Sequence, residues 1–516
     1  MQELSTSLTS KLILLVSTFS VLLLANVTVA TPNVTSCRCL PQESCWPTQQ
    51  DWFSFNRSIQ GNLVAVRPVA DVCYRAEFDK EACQKITASW SYPRLSLVRY
   101  NGRIGKLGRN GMRGAIMRLR TQHAAREASH YTRQSRDCIS NPGHNSFAEA
   151  HNIRLVIRNS GHDFLGRSLA PESLQIFTGT FQNSSGEGPA VTVAAGVSVS
   201  ALYDAVSEQK QTVIAGAART IGVASGCIQG GGHFVFGPWK GLAADNALEF
   251  EAVLANGILL YANEYQNYDL FWALRGGGGG TFGVVVSVTV HTFPEVPVVV
   301  TNLNITTALG SSPNFWDALA GFHRALPWFN DANSGGYYLD WPKYSRNATT
   351  DISMISVFLV FASTSDTVKA DRVYSSLISK LNQVPGITTQ YKSFVSPGIN
   401  STMPAVLSQS IGTGGIGLMM SRLFSKDLLI SGNSPEGLTR ALRNLRYSSD
   451  EPITGVVVAG GTAASTFTPA SQSSPKKASK ISGDSCAVIT SRRIYSLKPT
   501  NGGGDVTHGP SEMSST

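Results

Sequence analysis

Two glycine-rich segments near the middle of this 516-residue chain constrain its fold more than any other feature. The first runs from Gly216 to Asn246, with glycines at 216, 222, 226, 230, 231 and 232, and the second is the run of five glycines at 276–280. Glycines at this density do not suit a packed helix or strand, because they cost backbone entropy and offer no side chain to pack. They are typical of backbone wrapped around a bulky, flat, anionic ligand, although each segment alone is equally consistent with a surface loop.

A third segment, IRLVIRNSGHDFLGRS from Ile153 to Ser168, predicts an apolar strand that ends in a turn. The turn holds Gly161, His162 and Asp163, followed by Gly166. Glycine lets the backbone approach a ligand closely, and successive free N–H groups form an anion-binding concavity. A histidine in such a turn is more often structural than chemical, so His162 alone assigns no function.

Regular elements are predicted around these segments. They are a helix ending at 147–152, strands at 153–159 and 189–197, a helix that Ser198 caps and that ends near Gln209, and a strand at 211–218. Residues 247–262 predict a hairpin with Asn256 and Gly257 in a type I′ turn. A short helix at 268–274 precedes the five glycines, and a valine-rich strand follows them. A dinucleotide-binding G-x-G-x-x-G opens a helix, so a Rossmann site is not expected here.

The N-terminal region predicts secretion. Residues 1–30 resemble a signal peptide, with an apolar run behind Lys11 that ends in small residues near Ala30. No second run of that kind follows, which predicts no membrane anchor after signal removal. Asn-x-Ser/Thr acceptors for glycosylation follow at Asn33, Asn56, Asn183, Asn304, Asn347 and Asn400.

Five of the eight cysteines cluster early in the chain, at Cys37, Cys39, Cys45, Cys73 and Cys83. A metal knuckle would need a second Cys/His pair at ligand spacing, and none follows. Residues 31–93 are therefore interpreted as a disulfide-stapled N-terminal extension with pairings left open. Cys138, Cys227 and Cys486 stand apart.

The net charge of +9 comes from one segment. Residues 94–136 hold eleven Arg and Lys against Glu127, whereas the rest of the chain has 32 basic and 33 acidic residues. A basic patch that binds nucleic acid or a membrane is one interpretation. The segment lacks helical periodicity and interleaved aromatics, so a solvated or poorly ordered stretch is favoured and no nucleic-acid partner is expected.

Four ordered motifs resemble a known family. They are RNSGHDFLGRS, TIGVASGCIQGGGH, GLAADNALEFEAVLANG and DLFWALRGGGGGTFGVV. Together they resemble FAD-linked oxidoreductases of the vanillyl-alcohol-oxidase/PCMH type, and the closest likeness is to the secreted fungal berberine-bridge-like branch that includes isoamyl alcohol oxidase. The N-terminal CRCLPQESCWP is also similar to that branch.

The resemblance implies an α+β fold, with a PCMH-type FAD-binding domain of two α+β subdomains and a sheet-and-helix substrate domain. The expected organisation is a signal peptide at 1–30, a Cys-rich extension at 31–93, a basic atypical segment at 94–146, the FAD-binding domain at 147–296, the substrate domain at 297–463 and a low-complexity tail at 464–516. The tail is rich in Ser, Thr, Pro, Gly and Lys, a composition that is not expected to order itself.

The resemblance also implies which positions hold FAD. His162 would be joined covalently to the flavin 8α-methyl group, and the surrounding turn with Ser168 would hold the pyrophosphate. The full set is Asn159, Ser160, Gly161, His162, Asp163, Ser168, Thr220, Gly222, Gly226, Gly230, Gly231, Gly232, His233, Gly283 and Val284. Many relatives carry a second flavin-linked cysteine, but Ala218 stands at that position. Attachment through His162 only is therefore expected, and Cys227 is expected to be a buried free thiol or a disulfide partner.

The implied reaction is hydride transfer from a C–H bond of a small alcohol, sugar or secondary metabolite to flavin N5, with O2 reoxidising the flavin. A base must take the hydroxyl proton, and relatives take it from a Tyr-x-Asn segment near the C-terminus that this chain lacks. Tyr337 and Tyr338, on a predicted strand, are weak candidates, because aromatics alternating along a strand are more often core. No catalytic residue is assigned.

Two alternatives to an active oxidase stay open. One is a non-catalytic flavin-binding remnant, or a paralogue with a mistaken gene structure, because neither 94–146 nor the tail matches the family pattern. The other is a basic-patch binding protein. No metal site is expected at His144, His151, His162 or His233, which lack acidic partners and i, i+4 pairing. The protein is expected to act as a monomer on a small molecule and O2.

Overall fold

The computed structural model describes residues 38–66, 73, 79–88, 116–119, 143–163, 167–168, 170, 172–179, 184–187, 189–307, 313–347, 350–399, 416–432, 434–445, 452–458 and 485–495. The predicted signal peptide, most of the basic segment, and Cys37 and Cys138 lie outside them. The elements, in chain order, are α1 (Gln49–Ser58), β1 (Leu63–Val66), α2 (Lys80–Ala88), β2 (Ile116–Leu119), α3 (Gly143–Ala150), β3 (Arg154–Arg158), β4 (Ser173–Phe177), β5 (Ser184–Glu187), β6 (Ala190–Ala194), α4 (Val199–Glu208), β7 (Gln211–Val213), a π-helix (Val223–Cys227), a 3-10 turn (Ile228–Gly230), α5 (Gly237–Lys240), β8 (Ala247–Val253), β9 (Leu259–Asn263), α6 (Tyr268–Leu274), β10 (Val284–Pro294), β11 (Val298–Thr307), α7 (Pro313–Asp331), β12 (Ser334–Asn347), β13 (Thr350–Ala362), α8 (Thr367–Leu381), β14 (Ile387–Ser396), β15 (Ile416–Ser425), α9 (Lys426–Ile430), α10 (Ser434–Arg443), β16 (Ile453–Val457) and β17 (Ser485–Tyr495).

The first of three sheets, here called the small sheet, has the strand order β1-β2-β4-β3. Strands β2 and β3 both run parallel to β4, and β1 is antiparallel to β2. The sheet carries the predicted strand that leads into the His162 turn. Strand β2 lies inside the basic segment, so the expectation of a solvated or poorly ordered stretch is wrong at Ile116–Leu119.

The second sheet, the central sheet, has the order β5-β6-β10-β8-β9, with β7 beside β10. Its neighbouring strands are antiparallel. Ser198 caps α4 by accepting a hydrogen bond from the N–H of Ala201, as its position before the helix predicts. Strand β10 begins at Val284, shortly after the five glycines at 276–280, which confirms the predicted order of glycine run and strand.

The hairpin of β8 and β9 is confirmed, but its predicted turn type is wrong. A type I′ turn needs positive φ at both central residues, and Asn256 does not have one, whereas Gly257 has φ +81°. The connection is longer: the N–H of Gly257 donates to the carbonyl of Leu254, and the N–H of Leu254 donates to that of Ile258. The Asn256 side chain accepts from the N–H of Ile258 at 3.1 Å. A local Asx contact therefore replaces the left-handed conformation that the sequence predicts there.

The third sheet, the covering sheet, has seven strands in the order β14-β11-β13-β12-β16-β17-β15. All its neighbours are antiparallel. Strand β17 comes from the predicted low-complexity tail and pairs with both β15 and β16. The expectation of no order in the tail is wrong for Ser485–Tyr495, because two neighbouring strands supply the backbone hydrogen bonds that the segment cannot make alone.

The two faces of the covering sheet pack in different cores. One face joins the core of the small and central sheets, to which Val298, Val300 and Val360 belong. The other face packs against α7 and α8 through residues such as Phe322 and Tyr374. Three sheets with helices packed against them confirm the predicted α+β class. None of the helices in the described ranges is long and apolar enough to cross a bilayer.

The N-terminal extension is stapled as predicted, with disulfides Cys39–Cys45 and Cys73–Cys83. Helix α1 begins with a capping box in which Thr48 and Asp51 bond each other's backbone. The ring of Phe55 stacks on Phe147 of α3 with a 4.2 Å centroid distance. This stack fixes the extension to the helix that precedes β3.

Candidate functional site

The turn after β3 is built on a buried arginine. Arg158 ends the strand at 3% exposure, and a Cβ on Gly161 would lie 3.0 Å from its guanidinium. Gly161 also has φ +82°, which L side chains rarely adopt. This position therefore requires glycine, and the next residue, His162, is held at the open end of the turn.

His162 is half-buried and bonded to the first glycine-rich segment. Its Nε2 lies 2.7 Å from Oγ1 of Thr220. Burial lowers the pKa of His162 to about 4, so the imidazole is neutral near neutral pH. Asp163 turns away and forms an ion pair with Arg167 at 2.7 Å, so its carboxylate is already used.

Close backbone contact joins the same two segments behind His162. The N–H of Gly222 donates to Oγ of Ser160 at 3.3 Å, and a Cβ on Gly222 would lie 2.0 Å from Oδ1 of Asn159. The Asn159 amide in turn donates to Thr178 at 3.1 Å. Only glycine at position 222 permits this packing.

Gln229, within the first glycine-rich segment, joins that segment to the run at 276–280, and the sequence did not single it out. Its carbonyl accepts from the N–H of Gly278 at 2.8 Å, and its Oε1 accepts from the N–H of Gly280 at 3.3 Å. A Cβ on Gly279 would lie 3.3 Å from Cα of Gly226. A buried amide among glycines was the available signal, because such a side chain must find partners in neighbouring backbone.

The enclosed surface contains features that a bound group would complete. A Cβ on Gly226, Gly230 or Gly231 would meet nothing within 4 Å, so these positions face open space. The Oγ of Ser168 is buried without a hydrogen-bond partner in the described part of the chain. The orphaned hydroxyl in the segment after His162 and the glycines that face open space each fit a ligand with anionic oxygens and a flat body.

The cleft is closed on one side by a contact between the glycine loop and the covering sheet. Nδ1 of His233 lies 3.2 Å from the hydroxyl of Tyr337 on β12. His233 is exposed, yet desolvation by the surrounding protein lowers its pKa. The His233–Tyr337 contact therefore lies where the glycine loop meets the covering sheet. The half-buried Tyr337 has its pKa raised, first by burial and then by Cys227.

The other predicted residues lie in different parts of the fold. Cys227 is a free thiol, and burial raises its pKa to about 12. Gly283 and Val284 lie at the start of β10, where a Cβ on Gly283 would be 2.8 Å from the carbonyl oxygen of Val253. Tyr338 is on the opposite face of β12, fully buried against α7. Of the two tyrosine candidates, only Tyr337 lies at the cleft.

Comparisons with known proteins agree with this geometry. Residues 145–263 match the family described as FAD binding domain. An uncharacterised FAD-linked oxidoreductase of Arthroderma benhamiae is 35% identical over 476 residues, which cover 84% of this chain and 77% of that protein. The FAD-linked oxidoreductase malF of Malbranchea aurantiaca is 32% identical over 86% of this chain and 77% of its own length.

Solved structures show the same fold. The VAO-type flavoprotein MtVAO713 from Myceliophthora thermophila aligns with a TM-score of 0.73 at 20% identity, covering 90% of this chain and 84% of that one. Berberine bridge enzyme from Eschscholzia californica aligns with a TM-score of 0.58 at 17% identity, covering 86% and 80%. With the matched FAD domain spanning both the His162 turn and the first glycine-rich segment, this chain belongs to the family of FAD-linked oxidoreductases.

Proposed function

We propose that this FAD-dependent oxidoreductase is an oxidase that removes a hydride from a C–H bond beside the hydroxyl of a small alcohol, a sugar or a secondary metabolite. The observation that carries the proposal is the series of hydrogen bonds that joins the His162 turn to the first glycine-rich segment, and that segment to the glycine run at 276–280. When bound, FAD supplies the two-electron acceptor, and O2 reoxidises it. The chain's own part is to bind the cofactor, orient the substrate and move the hydroxyl proton.

The turn and its neighbours are proposed to hold the cofactor. Backbone N–H groups around Asn159–Asp163 and the orphaned hydroxyl of Ser168 suit a pyrophosphate, which accepts several hydrogen bonds. Thr220, Gly222, Gly226 and the loop Gly230–His233 would line the other side. Gly283 and Val284 would approach the adenosine or pyrophosphate end. The proposed domain limits are 147–296 for FAD and 297–463 for the substrate, with β1 and β2 added to the first and β17 to the second by sheet pairing.

His162 is proposed as the single covalent anchor. Its imidazole is neutral, and Nε2 is occupied by Thr220, which leaves Nδ1 to bond the flavin 8α-methyl group. Ala218, at the position of a second attachment in relatives, is buried at 8% exposure and has no nucleophile. Cys227 is a poor nucleophile, because its raised pKa keeps the thiol protonated.

The protein is also proposed to be secreted and to act as a monomer. Two disulfides are compatible with an oxidising compartment, and they agree with the leader-like residues 1–30. The expected partners are a small-molecule substrate and O2.

The absorption spectrum before and after acid precipitation tests the cofactor and its attachment. Flavin is expected to stay with the precipitated wild-type protein and with Cys227→Ala, because neither lacks the anchor. With His162→Ala, flavin is expected in the supernatant. Retention by His162→Ala, or release by Cys227→Ala, would contradict the single attachment.

Anaerobic mixing with candidate substrates tests the reaction. Bleaching of the flavin by an alcohol or sugar, followed by recovery and peroxide release on admitting air, is expected of the oxidase. A protein that keeps its covalent flavin but is bleached by no alcohol or sugar would be the non-catalytic remnant instead.

A further inference from the structure

We propose that His233 and Tyr337 form a proton relay, in which Tyr337 takes the substrate hydroxyl proton and passes its own proton to Nδ1 of His233. The relay rests on the proposed oxidation. His233 is thereby a proton acceptor as well as a neighbour of the cofactor. The two groups come from different parts of the fold, the glycine loop and the covering sheet.

The contact geometry supports the relay. The Tyr337 hydroxyl and Nδ1 of His233 are 3.2 Å apart, which is hydrogen-bond distance. The two rings meet edge to face at a 5.8 Å centroid distance. In the relay, Tyr337 donates to Nδ1, so the second imidazole nitrogen carries the ring proton and points elsewhere in the cleft.

Close backbone contacts at two glycines fix the position of His233 relative to Tyr337. A Cβ on Gly335, two residues before Tyr337, would lie 2.2 Å from the carbonyl oxygen of Val235. A Cβ on Gly237 would lie 2.5 Å from the carbonyl oxygen of Val458 on the neighbouring part of the covering sheet. The loop and the sheet therefore approach each other backbone to backbone at two points near the pair. Such packing fixes the donor and acceptor before substrate binds.

The surroundings explain why a relay is needed. The ionisable groups placed against the pair in the described structure are Cys227 on the π-helix and Tyr203 on α4, and burial raises the pKa of each. Tyr337 is itself protonated near neutral pH, so it is not a standing phenolate base. It takes a proton only by losing its own, and the neutral imidazole of His233 is the acceptor in contact with it.

The substrate C–H bond breaks with loss of a hydride, for which bound FAD would be the two-electron acceptor, so the carbon is oxidised to a carbonyl. The substrate O–H bond breaks and its proton bonds to the Tyr337 oxygen. The former Tyr337 proton bonds to Nδ1 of His233, which becomes imidazolium. Because His233 is exposed, the imidazolium then releases a proton to water in the cleft.

A tyrosine titration tests the coupling without any substrate. The ultraviolet difference between the wild type and Tyr337→Phe gives the pKa of Tyr337, and the same difference in a His233→Ala background gives it without the acceptor. The pKa is expected to be above its ordinary value in the first case and to fall toward that value in the second, because water replaces the imidazole. An equal pKa in both backgrounds would overturn the relay.

Anaerobic flavin reduction by 3-methylbutan-1-ol and by D-glucose tests its use in the reaction. Tyr337→Phe and His233→Ala are each expected to slow reduction by about 10²–10⁴-fold, and the double variant is expected to be no slower, because the two act as one unit. The wild-type rate is expected to fall as the pH drops through the lowered pKa of His233, and His233→Ala is expected to lose that fall.

The matched control is Tyr338→Phe, which removes a hydroxyl from the other face of the same strand and is expected to leave the reduction rate unchanged. All variants are compared at equal covalent flavin content, so a lost cofactor is not taken for a lost relay. Unchanged reduction in Tyr337→Phe overturns the relay. If neither probe bleaches the wild-type flavin, the proposed oxidation fails for these two substrates, and the titration decides the coupling alone.

Discussion

Strand β12 carries two Tyr–His pairs on its opposite faces, and they differ in access rather than in chemistry. On one face Tyr337 meets His233 at 3.2 Å in a cleft, and on the other Tyr338 meets Nε2 of His323 at 3.1 Å inside the helix-packed core. His323 and Tyr338 are at most 1% exposed, whereas His233 is exposed. A proton relay needs a route to substrate and solvent. The pair of Tyr338 and His323, here called the sealed pair, has no such route and contributes to stability alone.

The sealed face also contains an acidic group with no counterpart at the cleft. Asp340, two residues after Tyr338, is fully buried, and neither carboxylate oxygen has a hydrogen-bond partner in the described structure. Burial raises the pKa of Asp340 well above its ordinary value, so the carboxyl group is protonated where an exposed one would be charged. Substitutions on the Tyr338 face are therefore expected to change stability, and substitutions on the Tyr337 face are expected to change the titration of Tyr337.

The largest expected effect on stability is the pH dependence of the sealed pair. Burial lowers the pKa of His323 to about 3 from 6.5. Below pH 6.5 the unfolded chain binds a proton that the folded chain does not, so the free energy of unfolding is expected to fall as the pH drops toward 3. Integrated over that range, the loss is on the order of 4 kcal/mol.

Urea unfolding of the wild type and His323→Gln over this pH range measures the effect. The variant is expected to be less stable at neutral pH but to lose less stability on acidification. Equal slopes for both proteins would show that His323 does not stay neutral in the folded state.

The next effect is steric, and it compares a glycine on the Tyr337 face of the sheet with one on the Tyr338 face. Gly335→Ala places a Cβ 2.2 Å from backbone at the cleft joint, and Gly455→Ala places one 1.8 Å from the Tyr338 ring in the sealed core. Each is expected to destabilise the protein by about 1–3 kcal/mol. Only Gly335→Ala is expected also to change the titration of Tyr337, because it moves β12 away from the loop.

Gly437→Ala is the control for both. Gly437 lies in α10, and its Cβ would meet nothing within 4 Å, so alanine is expected to stabilise the helix by about 1 kcal/mol. If Gly335→Ala lowered the thermal unfolding midpoint no more than this control does, the result would contradict the close backbone contact between the loop and the sheet.

Asp340→Asn is expected to stabilise the protein at neutral pH. The folded carboxyl group has a raised pKa, so the unfolded chain releases a proton above pH 3.8 that the folded chain keeps. Stability that is present below pH 3.8 is therefore lost as the pH rises toward the folded pKa, and asparagine removes this loss. A gain in unfolding free energy near pH 7 that vanishes in acid is expected in chemical denaturation.

The smallest effect comes from the two hydroxyls themselves. Tyr338→Phe leaves a buried imidazole nitrogen without its partner, which costs about 1 kcal/mol of unfolding free energy. Tyr337→Phe is expected to change stability by less than about 0.5 kcal/mol, because water reaches His233 in the cleft. Thermal unfolding at matched flavin content compares them, and a larger loss in Tyr337→Phe would reverse the assignment of cleft and core.

Local sequence signals determined the parts of this protein that depend on near neighbours in the chain. Glycine density predicted the cleft segments, Ser198 predicted a helix start, and early cysteines predicted a stapled extension. The His162 turn was also visible, because positive φ and close backbone approach demand glycine at Gly161 whatever lies around it. The backbone of this turn was predictable from residue order alone, whereas its proposed role in holding FAD came from the resemblance of the motifs to a family.

Only the tertiary structure decided which distant groups meet. Strand alternation places Tyr337 and Tyr338 on opposite faces, but the packing of loop 230–233 on one side and α7 on the other decides which face is the cleft. Strands β2 and β17 form in segments that composition predicted to be poorly ordered, because neighbouring strands supply hydrogen bonds to their backbone groups. Pairing across long sequence distances leaves no local periodicity, so composition predicted disorder where the sheets impose order.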